Sequence, residues 1–148
     1  MQQKSVFKSI LWVSLLILPF SLFAQVLSPE QFLGYKVGTR FTRHHQIVNY
    51  FTAIAAAKSD MVKLIPYGKT NEGRDLMVAA IGTAENIKNL EQIRKHNLGL
   101  VEGTVQDLNQ PGIVWLSYNV HGNEPASSEA AMLTLFALVD PNNNETKN

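Results

Sequence analysis

The stretch richest in chemistry is "WLSYNVHGNEPASS", residues 115–128. His121 and Glu124 stand three apart, with Gly122 and Asn123 between them and Pro125 behind. An imidazole nitrogen and a carboxylate oxygen are both ordinary zinc ligands, at about 2.0–2.2 Å from the metal. Gly122 has no β-carbon and lets the chain turn sharply, while Pro125 suits the first turn of a following helix. These neighbours disfavour a helical H-G-N-E and predict that the two side chains converge through a tight loop. A metal site that keeps a position open for water needs three protein ligands, and two are adjacent here. The same residues also fit a polar turn without chemistry, in which the histidine only caps backbone groups. Spacing alone leaves both readings open.

Several elements must position that turn. "IVWLSYNV", residues 113–120, has almost no polar interruption and predicts a strand buried on both faces. His121 then falls at its carboxyl end, where ligands gather in open α/β sheets. Ala126 to Val139 is apolar around most of its circumference and predicts a buried helix, stopped by Asp140-Pro141. Upstream, Ile47, Val48, Phe51, Ile54 and Ala55 share one helical face, with Thr42 as N-cap. "VKLIPYG" and "LMVAAIG" predict two strands of a hairpin across the turn "KTNEGRD", where Asn71 and Gly73 supply the special backbone angles. A helix follows Thr83, with Glu85 near its start, Arg94, Lys95 and His96 near its end, and Gly99 beyond. Helices and strands alternate, so the predicted class is α/β: a partial mixed sheet flanked by helices. Three strands and three helices are few for a doubly buried strand, and the domain reads as truncated.

Composition narrows the function. Of 148 residues, 45% are hydrophobic and 17% charged, as in globular rather than disordered chains. Lys4 and Lys8 precede an apolar run from Ile10 to Leu18, then Pro19 and "SLFAQ". That order predicts a signal peptide over residues 1–24, since a membrane span needs about 20 apolar residues. Its removal takes two of the 13 basic residues and none of the 12 acidic ones, moving the net charge from +1 to −1. No basic stripe remains, which argues against nucleic acid as a partner. The chain lacks cysteine, so an exported, periplasmic or cell-surface protein would rely on its core or a metal rather than disulfides. Residues 25–41, with Pro29, Gly34 and Gly38, read as an extended leader before a domain covering residues 42–148.

"YGKTNEGRDLMVAAIG" followed by "PGIVWLSYNVHGNEPASSEAAM" resembles the zinc carboxypeptidases related to carboxypeptidase A. Gly68, Thr70, Glu72, Gly73, Arg74 and Leu76 match that family's G-x-S/T-x-E-G-R-x-L hairpin. His121 and Glu124 match its H-x-x-E. The resemblance implies that His121 and Glu124 are two ligands of one Zn2+ ion. It also implies hydrolysis of C-terminal peptide bonds by a zinc-activated water, on peptide or peptidoglycan-derived substrates. It departs at Asn123, where many members carry a substrate-holding arginine. The family's third ligand, a histidine, and its general-base glutamate are expected beyond Asn148, leaving the 148-residue chain alone inactive. His44, His45 and His96 lie upstream and read as helix-surface or helix-end residues. Glu129 reads as a helix residue rather than a base, Arg74 as a turn residue, and Ser127 and Ser128 as first-turn residues without a nucleophile motif. Two other readings compete: a zinc deacylase of N-acyl amino acids resembling aspartoacylase or succinylglutamate desuccinylase, and a non-catalytic remnant or binding domain that has lost its metal.

Overall fold

The computed structural model describes residues 26–143 and 145. Residues 1–24, read from the sequence as a signal peptide, lie outside the described residues. The class is α/β: five helices and a two-stranded antiparallel sheet among the described residues.

The segment read as extended contains a one-turn helix, α1 (Pro29–Leu33). Ser28 caps it, its hydroxyl accepting from Gln31 N at 3.3 Å while Gln31 Oε1 accepts from Ser28 N at 2.8 Å. This is a capping box with proline at the first helical position, a signal readable in "SPEQ". Gly34, at φ 73°, ends the turn. Phe32 and Leu33 pack on the core, so this stretch is part of the fold and not a loose leader.

Helix α2 (His44–Ala57) starts after Arg43 rather than Thr42. The Gln46 side chain accepts from Arg43 N at 3.2 Å, and Thr42 is engaged elsewhere. The predicted apolar face faces inward: Ile54 is buried, and Ile47, Phe51 and Ala55 pack on the core. At its centre is Tyr50, fully buried, its hydroxyl donating to the Leu27 carbonyl at 3.0 Å. Burial pushes that hydroxyl's pKa far above the ordinary tyrosine range. The Tyr50 ring meets Phe32 edge-on at 5.2 Å, a favoured aromatic geometry.

The hairpin forms as predicted, from β1 (Val62–Lys69) and β2 (Asp75–Ile81). Its register slips between Pro66 and Gly68, a bulge at the proline that cannot donate to a ladder. In the turn only Gly73 takes the left-handed conformation, at φ 76°; Asn71 does not. The helix after Thr83 is divided at Asn89 into α3 (Ala84–Lys88) and α4 (Leu90–Val101). Gly99 is not its stop. It is buried inside α4, and a β-carbon there would stand 2.7 Å from Val105 Cγ2. The chain turns off at Gly103 instead, at φ 71°.

The largest departure is residues 113–120, which form no strand. Val114, Trp115 and Val120 are 83%, 70% and 68% exposed, the reverse of double burial. An apolar run becomes a strand only when neighbouring strands satisfy its backbone, and none lies alongside it among the described residues. Helix α5 (Ala126–Val139) does form with the predicted bounds. It buries one face rather than its whole circumference: Met132, Leu135 and Val139 join Tyr50, Ile54 and Val62, while Leu133 and Leu138 stay exposed. The core therefore lies between α1, α2, the hairpin and α5, and α5 carries the His-Glu turn at its amino end.

Candidate metal-binding turn

The turn is built on α5. Glu124 N donates to the His121 carbonyl at 3.2 Å and Ser127 N to the Glu124 carbonyl at 3.2 Å, so the chain enters the helix through successive turns. Pro125, at φ −65°, occupies the N-cap position. The predicted convergence occurs: His121 Nδ1 and Glu124 Oε1 lie 3.1 Å apart. Two ligands on one tetrahedral zinc are separated by about 3.4 Å at ordinary bond lengths. One ion could thus engage both atoms with a shift of a few tenths of an ångström, and the donor chemistry fits. The side chains are 68% and 54% exposed, leaving the pair open to an ion and to substrate.

The set stops at two. No group of three or more His, Cys, Asp or Glu side chains able to hold a metal occurs among the described residues. His96 sits on α4, its Nε2 donating to the Asp107 carbonyl at 2.6 Å, which fixes the proton on that nitrogen. His44 and His45 occupy the exposed first turn of α2.

Glu129 has a structural task. It is 6% exposed, and its carboxylate accepts from Gly38 N at 2.6 Å and from the Thr42 hydroxyl at 2.5 Å. Since Thr42 spends its one hydroxyl proton on Glu129, Tyr35 must donate to Thr42 across their 2.7 Å contact. This network joins residues 35–42 to the first turn of α5. Nothing in the local pattern around Glu129 reveals it, because its partners lie about 90 residues upstream.

The E-G-R hairpin residues serve their own turn. Arg74 pairs with Glu72 at 2.5 Å, Thr70 N donates to the Arg74 carbonyl at 2.9 Å, and the Thr70 hydroxyl accepts from Arg74 N at 3.2 Å. Asn123 and Glu124 are both exposed. Ser128 donates to the Asn119 side chain at 3.0 Å, and the Tyr118 hydroxyl to Thr134 Oγ1 at 2.9 Å. Sequence reading singled out neither contact. Among the described residues no helix is long and apolar enough to cross a membrane.

A family model described as zinc carboxypeptidase matches residues 47–148, more than half of the chain. Comparison with curated proteins and with solved structures gave no match.

Proposed function

The chain belongs to the zinc carboxypeptidase family, and we propose that it is an exported metallocarboxypeptidase domain, its catalytic part covering residues 42–148, with His121 and Glu124 as metal donors. Membership carries the coarser statement: the chain is metallopeptidase-like, in a zinc-dependent family of hydrolases. The observation that carries the finer reading is the 3.1 Å approach of His121 Nδ1 to Glu124 Oε1 on an open turn. Bound zinc would supply Lewis-acid polarisation of a scissile carbonyl and acidification of a water. His121 and Glu124 would hold that ion, and the α5 scaffold would keep their donor atoms on a common side. The substrate we propose is the C-terminal end of a peptide or of a peptidoglycan-derived stem; the lack of a basic stripe argues against nucleic acid. Export rests on the charged-then-apolar amino-terminal segment.

With two donors rather than three among the described residues, zinc held by the 148-residue chain is weak and readily chelated. The test is release of the terminal amino acid from an N-blocked peptide by the protein as its source organism makes it. Zinc-dependent release that His121→Ala abolishes is the expected result. Release that persists in His121→Ala, or cleavage of an N-acyl amino acid in place of the peptide, contradicts the reading.

A further inference from the structure

The open faces of His121 and Glu124 leave their separation unprotected by core packing. The backbone bonds of the turn run among residues 121–128 and none reaches back to the segment that delivers His121. Two side-chain bonds do. Tyr118 reaches Thr134 at 2.9 Å, more than two turns into α5, and Asn119 accepts from Ser128 at 3.0 Å in its first turn. The second is the nearer to the donors, with Asn119 two residues before His121 and Ser128 four after Glu124. It closes a ring of chain that contains both.

The Ser128 end of this bond is anchored, and the Asn119 end, which is exposed, has a distinctive backbone angle. Ser128 is half-buried and directly precedes Glu129, whose carboxylate is tied to Gly38 and Thr42. Asn119 is the one non-glycine residue at positive φ among the described residues, at 56°. Asparagine tolerates that conformation better than most side chains, and the bond to Ser128 rewards it. We infer that the Asn119–Ser128 bond is a positioning device that sets the separation of His121 Nδ1 and Glu124 Oε1. The inference rests on the reading of that pair as metal donors. Loss of the bond leaves the turn's backbone bonds and the Tyr118–Thr134 tie in place, so the fold survives while the donor pair loosens.

The experiment is a Zn2+ titration of the full chain, followed by backbone amide signals of residues 119–128. Ser128→Ala and Asn119→Gly remove the bond from opposite ends, and glycine keeps the positive φ accessible. A folding defect in one therefore leaves the other to decide. Each should weaken zinc binding about 5-fold, the size of one neutral hydrogen bond. The double variant should be no weaker than either single one, and Ser128→Thr, which keeps the hydroxyl, should bind like the parent. Unchanged affinity in both single variants, additive losses, or no recovery in Ser128→Thr overturns the positioning role while the donor assignment stands. A parent that does not respond to zinc, or a response that survives His121→Ala, overturns the donor assignment and the positioning role together.

Discussion

Glu129 should be among the most destabilising positions to truncate, although it lies outside the apolar core. Its carboxylate is 6% exposed and receives two donors, Gly38 N and the Thr42 hydroxyl. A hydrogen bond to a charged group contributes about 1.5–3 kcal/mol. Gly38 is exposed, so its N–H recovers a water once the carboxylate is gone and its share falls towards zero. Thr42 is half-buried and recovers less. Glu129→Ala also removes buried methylene, at about 0.8 kcal/mol each. The sum is a loss of about 3 kcal/mol, a large fraction of the total for a small domain. Glu129→Gln keeps the volume and an acceptor for Thr42 but turns an amide against Gly38 N, for a loss of about 1–2 kcal/mol. Thr42→Val should cost about as much as Glu129→Gln and be strongly coupled to Glu129→Ala, since both remove the same bond. Urea unfolding read by circular dichroism measures all of these through midpoint and slope. Glu129→Ala within about 0.5 kcal/mol of the parent, the range of ordinary surface changes, would refute the reasoning and leave the tie without energetic weight.

Gly99→Ala should destabilise by about 1 kcal/mol, because the overpacking penalty against Val105 exceeds the helix-propensity gain of roughly 1 kcal/mol; a stabilised variant in thermal unfolding would show that the α4–Val105 approach is loose. The hydrogen bonds from Arg94 hold the Glu91 carboxyl down to about 2, below its ordinary value. Because the folded-state pKa is depressed, this contact's support is complete above the unfolded value near 4.5 and is lost as pH falls towards 2. Carbon-detected NMR titration of the Glu91 carboxyl checks it, with Arg94→Gln expected to return the midpoint towards the ordinary value and an unchanged midpoint in that variant counting against the contact.

What the sequence reveals depends on how far each signal must reach. The hairpin was legible because its turn and both strands lie within residues 62–81 and its glycine sits where the left-handed angle is needed. Helix α5 was legible to its end residues, since Pro125 and Asp140-Pro141 mark both boundaries locally. The His-Glu convergence was legible from donors three residues apart just before Pro125, although Gly122 is not what forces it: it takes no left-handed angle, and a β-carbon there would meet nothing within 4 Å. Residues 113–120 show the limit. Their apolarity encodes a demand for cover, and the cover is a tertiary matter that no local pattern contains. Gly99 misled for a similar reason: a glycine near a helix end looks like a stop, yet here it admits Val105 against the helix backbone. Thr42 looked like a cap because its type and position suited one, and a carboxylate on α5 claimed its hydroxyl instead.

The central claim is that His121 and Glu124 are metal donors, and the most direct measurement observes the imidazole nitrogens themselves. Long-range 1H–15N spectra of the full chain, recorded as Zn2+ is added, separate the two ring nitrogens of all four histidines. The account predicts a zinc-dependent shift of His121 Nδ1, weakened by Glu124→Gln and reversed by chelator, with His44, His45 and His96 unmoved. A shift centred on any of those three, or a silent His121 at saturating zinc, would contradict it.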